Sequence, residues 1–126
     1  MGRSNPFRDI PISGGTFTGS VNPARVALTD AATIAIDASL GNEFDLTIAG
    51  NRTLGAPTNP VDGKVINIRI KQDGVGTRTL AYNAIWKFPG AVAPVLSTGA
   101  AAVDRISAAY NLADNVWEAT FAKGYA

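Results

Sequence analysis

From Ala24 onward the apolar residues fall on alternate positions: Val26 and Leu28, then Ile34 and Ile36, then Phe44, Leu46 and Ile48, with Thr, Asp or Ala between them. A period of two marks a half-buried strand, because successive side chains leave opposite faces of a sheet. The strongest instance is Lys64 to Gln72, where Ile66, Ile68 and Ile70 face one way and Asn67, Arg69 and Lys71 the other. Asp73-Gly74-Val75-Gly76-Thr77 reads as a turn into Arg78 to Tyr82, giving a hairpin that sets Leu80 and Tyr82 against the isoleucines. A second hairpin is predicted from Asp104 to Tyr110 and Val116 to Ala122, with Trp117, Ala119 and Phe121 on one face. Trp86 and Phe88 predict an aromatic cover at the end of the sheet, and the small apolar stretch that follows, 91–103, is expected to be buried. Pro57 and Pro60 confine their segment to a surface loop.

Residues 1–23 break this pattern. They hold Pro6, Pro11 and Pro23, a Gly14-Gly15 pair and only isolated apolar side chains, so they are expected to form an extended N-terminal arm ahead of a body spanning 24–126, either a frayed terminus or a segment that orders against a neighbouring subunit. Phe7, Ile10, Ile12 and Phe17 are the anchors with which such an arm would dock on a partner, since apolar groups spaced along a stiffened chain lose little entropy on binding.

Thirteen glycines and seven prolines cut the 126 residues into segments too short for typical helices, so the fold expected is all-β, an antiparallel β-sandwich or jelly-roll-like single domain. No internal repeat is evident along the chain. No apolar run approaches the ~20 residues of a membrane-spanning helix, and the first ten residues lack the apolar core of a secretory signal. Neither a membrane nor export is expected. The formal net charge is +1 with the cations scattered, which makes nucleic acid an unlikely partner.

The chain has no histidine and no cysteine, so Ser-His-Asp and Cys-His catalysis and the usual zinc sites cannot be assembled from it. Asp37, Glu43, Asp45 and Glu118 are the strand carboxylates a glycosidase would draw on, yet all sit opposite the apolar face, where solvated carboxylates are ordinary. Gly74-Val75-Gly76-Thr77 lacks the Gly-Lys-Ser/Thr and helix of a phosphate loop. Asp62 and Asp73 precede glycines, as turn formers do far more often than calcium ligands. Asn51-Arg52-Thr53 matches a glycosylation acceptor, which matters only in a secretory pathway. Trp86, Phe88, Tyr110 and Trp117 read either as a sugar-binding platform or as core and interface packing, the second being favoured by the register of Trp117 with Ala119 and Phe121. No enzyme, cofactor or metal is expected.

The strings LTDAATIAIDASLGNEFDLTIAGNRTLGAPTNPVDGKVINIRIKQD, WKFPG, VDRISAAYN and VWEATFAKGY, in this order, resemble a β-domain of tailed-bacteriophage virion proteins that recurs in fibre-like and surface-exposed components, a resemblance that spans about residues 26–126. Gly14-Gly15-Thr16-Phe17-Thr18-Gly19 is similar to connectors in phage fibres. The resemblance implies a virion structural protein assembled in the host cytoplasm and carries no catalytic residues. The chain starts at its own Met and holds one domain without a shaft, a plan similar to capsid decoration (cement) proteins, so a homotrimer binding the major capsid protein or another virion protein is expected. The alternative is a tail-fibre or spike module that recognises a host glycan, with Trp86 and Phe88 as ligand or interface aromatics.

Overall fold

A computed structural model describes residues 24–125, so the arm and its anchors Phe7, Ile10, Ile12 and Phe17 lie outside the described residues. The described chain is all-β, with nine strands: β1 (Arg25–Ala27), β2 (Thr33–Ile34), β3 (Glu43–Ile48), β4 (Arg52–Leu54), β5 (Val65–Gln72), β6 (Leu80–Tyr82), β7 (Trp86–Lys87), β8 (Val103–Asn111) and β9 (Val116–Lys123). A single 3-10 turn, Pro89–Ala91, follows β7.

Two sheets share one core. The larger runs β1-β3-β5-β8-β9-β7 and the smaller β2-β4-β6. From β1 to β6 the chain crosses from one sheet to the other after every strand, so it winds as a coil whose successive turns stack in parallel. Arg25 lies beside Glu43 and Glu43 beside Asn67, so a turn of the coil takes roughly twenty residues, the pitch of a solenoid repeat. The antiparallel arrangement expected from the sequence is found only where β8 lies between β5 and β9. Alternation fixes which face of a strand is buried and leaves the direction of its neighbour open, which is why parallel coiling is invisible in the pattern. Unequal loops between the turns likewise hide the repeat.

The corners of the coil are tied by polar side chains. Asp30 in the first turn accepts from Arg52 Nε at 2.7 Å and Arg52 Nη2 at 3.0 Å, and from the Ala49 amide at 3.2 Å. Asn51 Oδ1 accepts from the Thr79 amide of the third turn at 3.0 Å. A side chain at Gly50 would place its Cβ 2.6 Å from the Arg52 guanidinium, so a substitution there would have to push the Arg52 side chain aside.

The predicted β5–β6 hairpin does not form. β6 belongs to the other sheet and pairs in parallel with β4, and the antiparallel partner of β5 is β8. The turn is held open by its own side chains. Asp73 accepts from the Val75 and Gly76 amides and pairs with Arg78 at 2.9 Å, while buried Gln72 bonds the Arg78 amide and the Arg78 and Ser97 carbonyls. Gly76, at φ 79°, approaches so closely that a Cβ would stand 2.6 Å from the Thr98 carbonyl oxygen.

Inward residues form rows across the strands. Val26, Phe44, Ile68, Ile106 and Phe121 make one row, and Ile34, Leu54 and Tyr82 cross the smaller sheet. The β8–β9 hairpin and its inward Trp117, Ala119 and Phe121 match the sequence expectation. The 91–103 segment does not: Val92 and Val95 are exposed, and Leu96 enters the core. With its polar neighbour Ser97 pinned from below, this stretch crosses the surface as a strap.

Candidate functional site

The aromatic residues gather where β7 meets β9. Trp86 and Trp117 are direct neighbours in the parallel β7–β9 pair, and Trp117 faces Tyr110 across β8. Ring centroids lie 6.1 Å apart for Trp86–Trp117 and 5.1 Å for Tyr110–Trp117, within the range of favourable aromatic contact. Trp86 is only 5% exposed, and its Nε1 donates to the Gly55 carbonyl at 3.0 Å, so it clamps the edge of the larger sheet to the loop after β4. Trp117 is 0% exposed, and its Nε1 meets no acceptor among the described residues. The Tyr110 hydroxyl donates to Asn115 Oδ1 at 2.6 Å and closes the β8–β9 loop. Of the four candidate platform residues, then, Trp86, Tyr110 and Trp117 serve the core.

Phe88 remains half-buried at the surface. It packs edge-on against Tyr82, centroids 4.8 Å apart, and the two border a cleft of about 290 Å³ together with Asn83, Lys87, Ala91 and Ala93. Asn83 is spent on its own turn, its Oδ1 accepting from the Ile85 amide. The Tyr82 hydroxyl donates to the Pro94 carbonyl at 3.2 Å, and burial, followed by the charge of Asp104, pushes its pKa well above the usual tyrosine value. It stays protonated and structural. What the cleft offers is an apolar wall with the cationic Lys87 at its rim, suited to contact with another surface.

Glu43 pairs with Arg105 at 3.0 Å and Asp45 with Arg69 at 3.3 Å on the outer face of the larger sheet. Asp37 accepts from Ser39 and Asn59, and Glu118 stands opposite Lys87 in the β7–β9 register. Asp62 accepts from the Leu112 amide. Among the described residues no group of three or more His, Cys, Asp or Glu is placed to hold a metal ion, and no helix is long and apolar enough to cross a membrane.

Two polar residues that sequence reading passed over prove central. Asp104, 2% exposed, accepts from the Ser97 amide and hydroxyl, both at 2.7 Å, and from the Gly124 amide at 3.0 Å. Gln72 fills the same role at the end of β5. Both stand in the inward register, Asp104 with Ile106 and Ala108, Gln72 with Ile68 and Ile70. A polar residue at an inward position was the available signal, since such a group is kept only where partners satisfy it.

The half-buried turn carboxylates give the fold an acid sensitivity. The Arg78 guanidinium, then the Gly76 and Val75 amides, hold the Asp73 carboxyl at about 2; Arg52 lowers Asp30, and Asn59 and Ser39 lower Asp37. A carboxyl whose folded pKa lies below its unfolded value stabilises the fold above the unfolded pKa and ceases to as pH falls through the folded one. The unfolding midpoint should therefore drop between about pH 4 and pH 2. In Arg78→Gln the midpoint should start lower at neutral pH and fall less steeply, the two curves converging at the acid end; parallel curves in a pH series of thermal melts would contradict this assignment.

Comparison of the chain with protein-family models, with curated proteins and with solved structures finds no match.

Proposed function

We propose that the chain is a structural protein of a bacteriophage particle: a capsid decoration protein that assembles as a homotrimer on the shell and reinforces it, with residues 1–23 docking on the major capsid protein or a neighbouring virion protein through Phe7, Ile10, Ile12 and Phe17. The resemblance of about residues 26–126 to phage virion β-domains motivates this reading. The observation that carries it is the set of uncovered sheet edges. β1 and β7 border the larger sheet and β2 and β6 the smaller, and among the described residues no further strand pairs with them. Symmetric assembly is the usual means of covering such edges. Exposed Val61 and Leu112, drawn together by the Asp62 bond to the Leu112 amide, add apolar contact area at one end of the body.

Copy number in purified particles, measured against the major capsid protein by quantitative mass spectrometry, tests the reading. Abundance comparable to the capsid protein is expected, and deletion of residues 1–20 should abolish attachment while the body keeps its thermal transition. Absence from particles would refute the virion role. The cleft beside Phe88 and Lys87 favours a second reading, a tail-fibre or spike module for host glycan, which a handful of copies per particle and inhibition of adsorption by the purified protein would select.

A further inference from the structure

β9 is paired along its whole length with β8, but on its other side β7 accompanies it only at Trp117 and Glu118. Beyond Lys87 the chain is turned away by Pro89 and the left-handed Gly90, at φ 67°. The Trp117 amide donates to the Ile85 carbonyl across that edge. Backbone groups alternate sides along a strand, so the amides of Phe121 and Lys123 and the carbonyls of Ala119 and Phe121 point the same way. Among the described residues no strand meets them. A cleft of about 310 Å³ runs along this edge, lined by Phe88, Pro89, Glu118, Ala119 and Thr120. It has the position, the apolar wall and the backbone groups that an added strand requires.

The described residues begin at Ala24, immediately before β1, at the opposite border of the same sheet. Of the 23 residues that precede them, 12–22 form the longest run without proline and therefore with a full set of amide donors. Within it, Thr16-Phe17-Thr18-Gly19-Ser20-Val21 places Phe17 and Val21 on one face at a period of two, with Thr and Ser on the other. A strand added to β9 lies five strand spacings from β1, roughly 24 Å away. Val21 is three residues from Ala24 and reaches about 10 Å at most. The segment cannot pair with the β9 edge of its own chain.

We infer that residues 16–21 of one copy add as a strand to the free edge of β9 in a second copy, with Phe17 seated in the cleft between Phe88 and Ala119. Donor and acceptor lie on opposite borders of the sheet, so the contact is heterologous and each copy gives one strand and receives one. Such a chain of contacts closes into a ring when the rotation between copies returns to its start, as the homotrimer proposed above requires. This deepens the self-association in the function proposed above, gives Phe17 to the second copy so that Phe7, Ile10 and Ile12 are the anchors left for the shell, and is independent of the virion role.

Two full-length variants test it. Thr18→Pro with Gly19→Pro removes two successive arm amides, one of which must face the acceptor edge; Lys123→Pro removes an outward amide of β9 while sparing its bonds to β8. By light scattering after size exclusion, the unaltered chain is expected at a whole multiple of 13.1 kDa and each variant at 13.1 kDa. Mixed, the arm variant still offers its β9 edge and the edge variant still offers its arm, so one-to-one pairs should appear. A monomeric unaltered chain, an arm variant that keeps the full mass, or a mixture that stays monomeric would each overturn the inference. The arm substitutions lie outside the body and remain decisive if Lys123→Pro fails to fold. A ring in solution from a chain missing in particles would sink only the virion role, and incorporation of a monomer only the strand exchange.

Discussion

Replacing Trp117 with alanine should cost about 3–5 kcal/mol of stability, the range for truncating a fully buried aromatic side chain. Trp117 is the largest side chain with no solvent exposure and lies between Trp86 and Tyr110, so its loss empties the place where β7, β8 and β9 converge. The indole N–H has no acceptor among the described residues, so the expected loss is one of packing and area. Trp117→Phe should recover a large part of it. Urea-induced unfolding followed by circular dichroism checks both variants; a cost below about 1 kcal/mol for Trp117→Ala would mean that this corner collapses around the missing ring.

Asp104→Ala should be nearly as damaging, about 2–4 kcal/mol, through the opposite mechanism. Three donors, the Ser97 amide and hydroxyl and the Gly124 amide, would lose one shared acceptor. Asp104→Asn keeps one carbonyl oxygen and should recover roughly half of the loss. The variants differ from Trp117→Ala in where they act. Amide exchange should accelerate first at Ser97 and in the surface strap around it, with the β3–β5 ladder protected until global unfolding. Removal of the negative charge should also let Tyr82 ionise at a lower pH, since Asp104 contributes to raising it, although burial, the larger cause, persists. Unchanged Tyr82 titration in a folded Asp104→Asn variant would argue against that coupling.

These two residues show what the sequence does and does not disclose. Period-two alternation correctly assigned the inward faces of β3, β5 and β9, because burial of alternate side chains is a local property of each strand. It also held the sign of the Asp104 and Gln72 anchors, as polar residues in apolar register, though not their partners, which are Arg78, Ser97 and Gly124. Strand direction was not legible. Asp73-Gly74-Val75-Gly76-Thr77 has the composition of a hairpin turn, and the Asp73–Arg78 and Gln72 bonds, with the backbone bonds of Asp73 and Thr77 to the 98–101 segment, make it a corner between sheets. For the candidate site, the prominence of Trp86 was legible but its exposure was not, since the Gly55 carbonyl that receives its N–H lies more than thirty residues away. Phe88, one position beyond the last paired residue of β7, was the aromatic left at the surface.

The coil has a consequence for synthesis on the ribosome. β1, β3 and β5 can stack as each turn emerges, but the second neighbour of β5 is β8, which follows only after the strap, and β8 in turn awaits β9. Until then a growing chain displays the eight-residue edge of β5, with three isoleucines in register, as an open template. Pairings this distant in sequence form slowly. A nascent chain is therefore most prone to aggregate in the interval before residues 103–123 leave the exit tunnel, and the β8–β9 hairpin, whose pairing is local, is the piece whose arrival ends it.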